Sequence, residues 1–199
     1  KYNSEAFFSY DDLINSAQLD AIYIPLPNAL HYEYAKRSLE KGIHVLVEKS
    51  IGCNFSEVEK LVKIAKEKDL LLMENFQFRF HSQLDFLKSL LEDRIIGENR
   101  AMISSFCFPP FEDKNNIRYD KKLGGGALLD AGAYTTKISS ILFGYNLSVK
   151  SAILNHDLSL GVDICGSAFL VNDGNHTTST CIFGFDNFYQ CGVQIFGSK

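Results

Sequence analysis

Apolar positions recur along this chain in two rhythms, and the rhythm changes near residue 75. In the first part, compact apolar runs alternate with segments of helical period. Residues 9–17 (SYDDLINSA) open on a serine followed three positions later by Asp12, the pattern of a short capped helix. Ala21, Ile22, Tyr23 and Ile24 read as a buried strand. Pro25, Leu26, Pro27 and Asn28 then read as a loop, because proline has no N–H to give to a ladder. Residues 28–41 are helical in period, with Leu30, Tyr34, Ala35 and Leu39 on one side and Gly42 as the stop. His44 to Val47 is a second buried strand. Asn54 caps a third helix that turns Val58, Leu61, Val62 and Ala65 inward, and Leu70 to Met73 is a third apolar run. Continuous apolar strands alternating with helices indicate a parallel sheet covered on both faces. Ligands of such sheets bind beyond the carboxyl ends of the strands. Here those ends are 25–28, 48–50 and 74–76, all rich in polar or turn residues.

After Asn75 the pattern changes. Residues 82–93 form an amphipathic helix with Leu84, Leu87, Leu90 and Leu91 inward. Residues 99–108 read as a strand, and 109–123 as a long irregular connection. Three glycines at 124–126 then lead into a helix that runs to Phe143 and Gly144. Four strand candidates follow, at 148–155, 162–172, 177–186 and 189–196, separated by turn signals and spaced closely enough for antiparallel pairing. The expected fold class is α/β: a parallel sheet over residues 1–75, then an α/β domain with a mostly antiparallel sheet over residues 76–199.

Composition narrows the function. The 199 residues carry a net charge of −4, which gives no electrostatic basis for binding nucleic acid or an anionic membrane surface. No apolar run approaches the roughly 20 residues of a membrane span, and no signal peptide is visible. The five cysteines are odd in number and form no CxxC, which argues against a disulfide framework or structural zinc and for a reducing cytoplasm. No HxxxH, carboxylate cluster or Cys/His set suggests a metal, and no GxSxG a covalent hydrolase.

The candidate chemistry centres on residues 124–134, GGGALLDAGAY. On a helix, Asp130 and Tyr134 share a face and Lys137 falls on the same side. This is either an acid/base array or an Asp130–Lys137 pair beside a half-buried tyrosine. The glycines make a tight turn, or they let backbone approach a flat ligand or open a helix whose N–H groups face a cleft; no GK[ST] marks a phosphate loop. Lys49, at the end of a buried strand, is either a rigid, partly desolvated proton-handling group or a surface lysine paired with Glu48. His31, in the first turn of its helix, is expected to be neutral and serves the crevice or caps and packs. Arg79, among Phe76 and Phe78, belongs to a ligand wall or to core packing.

The segments PLPNALHYEYAKRSLEKGIHVLVEKS, ENFQFRFH and IRYDKKLGGGALLDAGAY, in this order and spacing, resemble the Gfo/Idh/MocA oxidoreductases. The closest branch holds NDP-hexose 3-ketoreductases and dihydrodiol or xylose dehydrogenases. The resemblance implies a Rossmann domain followed by a substrate and dimerisation domain. It also implies NAD or NADP as cofactor, and a sugar or sugar-nucleotide substrate oxidised or reduced by hydride transfer. Lys49 aligns with the family's lysine, which would contact the nicotinamide ribose and the reacting oxygen. Tyr134 aligns with the residue that exchanges the substrate proton, and Asp130 would hold the sugar or tune the pair. Pro25, Leu26, Asn28, His31, Glu48, Lys49 and Asn75 map onto cofactor-facing loops. Arg79, Arg118 and Tyr119, with Asp130 and Tyr134, are the expected substrate contacts.

Two departures accompany the resemblance. The family's Lys-Pro is Lys49-Ser50 here, which removes a backbone restriction. The glycine-fingerprint strand–turn–helix is absent, so about 50 to 60 residues, roughly two βα units, are expected before Lys1. The sheet's last strands are also expected beyond Lys199. A homodimer through the antiparallel sheet is the expected assembly. The alternatives are a non-catalytic cofactor- or sugar-sensing relative and an inactive fragment.

Overall fold

The computed structural model describes residues 5–16 and 18–199. Residue 17, the expected end of the first helix, lies outside the described residues. The chain divides into two compact units, Lys1–Asn75 and Phe76–Lys199.

The first unit runs α1 (Tyr10–Ser16), β1 (Ala21–Ile24), α2 (Asn28–Glu40), β2 (His44–Glu48), α3 (Phe55–Glu67) and β3 (Leu72–Asn75). Its strands pair in parallel in the order β1-β2-β3, with Ile24 beside Val47 and Glu48 beside Asn75. Crossovers of one hand between sequential neighbours put α2 and α3 on the same face. There Ala35, Leu39, Leu61 and Ala65 share a core with Ile24, Val45 and Val47. This corrects the expectation of cover on both faces: among the described residues the other face leaves Tyr23 and Met73 exposed. The third strand also starts two residues later than the apolar run. The Leu70 N–H still closes α3 on the Ala65 carbonyl, and the Leu71 N–H donates to His44 Nδ1. Glu74 and Asn75 therefore lie within β3 rather than in the loop beyond it.

The second unit begins with a 3₁₀ turn (Gln77–Phe80) and continues through α4 (Ser82–Glu92) and β4 (Asn99–Cys107). After the connection come α5 (Ala133–Phe143) and strands β5 (Leu147–Asp157), β6 (Val162–Asn172), β7 (Thr178–Gly184) and β8 (Gln190–Gly197). The sheet order is β5-β6-β7-β4-β8, antiparallel except for β4 beside β7. Close spacing predicted that β7 and β8 would pair, but β4 lies between them. Residues 185–189 step over its end, where the Phe108 N–H donates to the Gly184 carbonyl and the Asn187 N–H to the Phe108 carbonyl. Two strand spacings of about 4.8 Å are within reach of such a link. Helix α5 packs on this sheet despite its hydroxyls. The buried Ser139 donates to the Thr135 carbonyl and shares a 2.7 Å bond with Ser179, so its burial leaves no polar atom unsatisfied.

Candidate functional site

Two regions, one in each unit, gather the expected site residues. In the first unit the strand ends are tied together by side chains. Glu48 Oε1 accepts from the Tyr23 hydroxyl and from Asn75 Nδ2, each at 2.6 Å. The hydrogen bond to Glu48, burial and the carboxylate charge raise the Tyr23 phenol above its ordinary value. On the other side of the strand, the Ser50 N–H donates to Asn28 Oδ1 at 3.1 Å and the Ile51 N–H to Glu74 Oε1 at 3.0 Å. The Lys49–Ser50 peptide bond is cis.

His31 is 0 % exposed. Its Nδ1 lies 2.6 Å from the Ser50 carbonyl oxygen and its Nε2 2.6 Å from that of Leu26. A carbonyl only accepts, so a neutral ring makes one of these bonds and a doubly protonated ring makes both. The ring ties the two loops from within and does not lie on the crevice surface, so the packing alternative describes it. Pro25 is exposed, and Leu26, Asn28, Glu48, Lys49 and Asn75 are partly exposed. Of these, Pro25 and Leu26 are apolar, Lys49 carries an ammonium, and Asn75 carries the amide that donates to Glu48.

In the second unit, Tyr134 stands at the start of α5 inside an aromatic wall. Its ring centroid lies 5.6 Å from that of Phe76, 5.9 Å from Phe78 and 5.2 Å from Phe106. The contacts with Phe76 and Phe106 are edge-on, and such contacts fix a ring by the attraction of positive edge for negative face. The Tyr134 hydroxyl lies 3.5 Å from Gln77 Oε1. The ring borders a cavity of about 380 Å³ that is also lined by Phe78, Leu84, Leu87, Phe106 and Ile138.

The ion pair found at Asp130 is with Arg118. Arg118 Nε donates to Asp130 Oδ2 at 2.7 Å, with the Asp130 side chain 15 % exposed and that of Arg118 39 %. The guanidinium also lies over the Phe111 ring, 5.1 Å from its centroid. The Lys137 ammonium sits 5.3 Å from the centre of the Phe76 ring. So the structure brings Arg118 to Asp130, a contact that no sequence spacing indicated. Tyr119 is 7 % exposed and its hydroxyl accepts from the Phe111 N–H at 3.0 Å, which gives it a packing role. Arg79 is exposed, in the 3₁₀ turn that follows Phe76.

The glycines serve protein packing. A Cβ on Gly125 would meet the Arg118 carbonyl oxygen, and one on Gly126, whose φ is +119°, would strike the Asp163 carboxylate. That carboxylate accepts from the Leu128 N–H at 2.6 Å, so this N–H is satisfied within the protein and does not face a ligand. Residues Leu128–Gly132 wind as a π-helical turn before α5, where a continuous α-helix was expected. The bare Gly132 lets the widened turn rest on the Phe183 ring. Among the described residues no group of three or more His, Cys, Asp or Glu side chains could hold a metal ion, and no helix is long and apolar enough to cross a membrane.

Comparison with known proteins gives a family match for each unit. Residues 1–76 match the oxidoreductase family with an NAD-binding Rossmann fold, and residues 85–199 match the GFO/IDH/MocA C-terminal domain. The chain belongs to the GFO/IDH/MocA oxidoreductases. Over 198 residues it is 38 % identical to dTDP-3,4-didehydro-2,6-dideoxy-alpha-D-glucose 3-reductase of Streptomyces violaceoruber, covering 100 % of this chain and 58 % of that protein. It is 32 % identical over 139 residues to a D-xylose 1-dehydrogenase (NADP(+)) of Haloferax volcanii, covering 70 % of this chain and 42 % of that protein. Among solved structures, a 3-ketoreductase from Actinomadura kijaniata in complex with NADP and TDP-benzene superposes with a TM-score of 0.90 at 36 % identity, covering 96 % of this chain and 58 % of that one. Structures of the same reductase include a tyrosine-to-phenylalanine mutant and a lysine-to-alanine mutant. This GFO/IDH/MocA chain thus spans 58 % of the length of the 3-reductase from Streptomyces violaceoruber.

Proposed function

We propose that the protein is an NAD(P)-dependent oxidoreductase acting on a sugar carbonyl or hydroxyl, with a nucleotide-activated keto sugar as the substrate class. Tyr134 is the proton donor or acceptor and Lys49 assists it. The observation that carries the reading is Tyr134 itself, an aromatic-walled phenol on the rim of an apolar cavity. Four curated relatives with the 3-reductase name, at 32 % to 38 % identity, support the nucleotide-sugar class.

A bound nicotinamide dinucleotide supplies or accepts the hydride at the sugar carbon. In the reducing direction the Tyr134 O–H gives its proton to the carbonyl oxygen as that oxygen gains negative charge, leaving an alcohol and a phenolate. An ordinary phenol, with a pKa of about 10, is a weak proton donor near neutrality and needs a cation to stabilise the phenolate. Lys49 supplies that charge and orients the reacting oxygen. Asp130, held by Arg118, has an acceptor for a sugar hydroxyl and is the site's recognition carboxylate.

The assembly expected with this chemistry is a homodimer through the open face of the second unit's sheet. Ile153, Phe169 and Ile182 stand exposed there, in strands that pair Ile153 with Ser167 and Ser167 with Ile182. The intact protein, assayed with NADPH and NADH against a dTDP-linked 3-keto sugar and against free xylose, is expected to turn over the nucleotide sugar at least about tenfold more efficiently, a difference of about 1.4 kcal/mol. Equal or better efficiency on the free sugar would overturn the substrate class. In the same assay Lys49→Ala is expected to lower kcat by about 10²-fold or more.

A further inference from the structure

The segment that carries Lys49 is gripped from both faces of the sheet by side chains of neighbouring elements. Before it, Glu48 is held by Tyr23 of β1 and Asn75 of β3. After it, three successive backbone groups are taken. The Ser50 N–H goes to Asn28, the Ser50 carbonyl to His31 and the Ile51 N–H to Glu74. Ser50 and Ile51 are each 9 % exposed, and His31 is fully buried. Buried backbone groups need partners, and here side chains supply them where the ladder has ended. A chain leaving a strand has two soft dihedrals per residue. Each of these bonds removes part of that freedom at or immediately after Lys49.

We infer that Glu74, together with Asn28 and His31, is a positioning residue for Lys49. The inference rests on the catalytic reading of Lys49 given above. Glu74 sits within β3, in register with Val47, and turns its carboxylate toward the buried side, where it reaches over to Ile51. In this role its carboxylate is an acceptor aimed at one N–H. A lysine whose ammonium must meet a reacting oxygen at hydrogen-bond range loses rate steeply when its Cα drifts, by up to about 10²-fold for a 1 Å misplacement.

Four variants of the intact protein test this: Glu74→Ala, Glu74→Gln, Lys49→Ala and the Glu74→Ala/Lys49→Ala double variant. Steady-state kcat and KM are measured, and amide hydrogen exchange is read at Ser50 and Ile51 in the cofactor-free protein. Glu74→Ala is expected to lower kcat about tenfold or more, leave KM within about threefold, and speed exchange at Ile51 while the β1-β2-β3 core stays protected. Glu74→Gln keeps a side-chain oxygen that accepts and is expected to restore both properties. In the Lys49→Ala background the Glu74 change is expected to cost nothing further. Parental kcat in Glu74→Ala, or the same fold loss with and without Lys49, overturns the inference while the catalytic reading stands. Parental turnover in Lys49→Ala alone contradicts the catalytic reading, and the inference with it. If Glu74→Ala does not fold, Asn28→Ala, read at the Ser50 amide, makes the same comparison.

Discussion

Tyr134 and Asp130 were marked by their spacing behind three glycines, but what surrounds them was not. Arg118 reaches Asp130 across an irregular connection of two short 3₁₀ turns, Ile117–Tyr119 and Lys121–Leu123. No periodicity reports such a contact. His31 and Glu74 were harder still, because their partners are the backbone groups of Ser50, Leu26 and Ile51, which look the same in every sequence. At two of the cysteines the surroundings disfavour the reactive thiolate. Burial, then the nearby Glu57 charge, pushes the Cys53 thiol above its ordinary value, and burial, then Cys165, does so at Cys107. Cys191 is exposed. An alkylating reagent at neutral pH is therefore expected to label Cys191 first, with the buried Cys107 and Cys181 slowest; peptide mapping over time checks the order.

At the scale of elements, helices were legible wherever a cap and a period coincided. Helix α3 is the clearest case. Asn54 Oδ1 accepts from the Glu57 N–H at 3.1 Å, and Glu57 Oε2 accepts in return from the Cys53 N–H at 2.8 Å. This reciprocal bonding is the capping-box arrangement one residue early. Asn54→Ala is expected to destabilise the protein by about 1 kcal/mol, within a range of about 0.5–2; a denaturation midpoint shift near zero would contradict it. Two features of the second unit escaped because they depend on distant packing. The π turn at Leu128–Gly132 needs the Phe183 ring beneath Gly132, and the parting of β7 from β8 needs β4 between them. Gly126→Ala is expected to cost more than the cap, because its positive φ and the Asp163 carboxylate both oppose a Cβ. Thermal unfolding of the variant checks this.

Across the whole molecule, the switch from apolar runs joined by helices to closely spaced strands parted by turn signals was enough to expect a parallel sheet followed by a mostly antiparallel one. Exposure of one sheet face in the first unit was not legible, because a run such as Ala21 to Ile24 looks the same whether one or both faces are covered. The β5–β6 hairpin is pinned at both ends by carboxylates. Ser159 and the Leu160 N–H hold Asp157 below the usual carboxylate range, and Lys150 and Ser148 do the same for Asp173. Both pKa values are depressed in the folded state. Their contribution is therefore complete above the unfolded value of about 3.9 and is lost as pH falls through the folded values. The double variant Asp157→Asn/Asp173→Asn is expected to show a shallower loss of stability below about pH 4 than the parent, measured by denaturant titration across that range. An equally steep acid limb would remove these carboxylates from the account.

The central claim is that Tyr134 moves the substrate proton. The most direct measurement is single-turnover reduction by the intact Tyr134→Phe protein with saturating NADPH and a dTDP-linked 3-keto sugar, alongside a cofactor-binding titration. The account predicts a rate at least about 10²-fold below the parent with cofactor affinity unchanged, because the aromatic wall of Phe76, Phe78 and Phe106 keeps the ring in place. A parental single-turnover rate would contradict it.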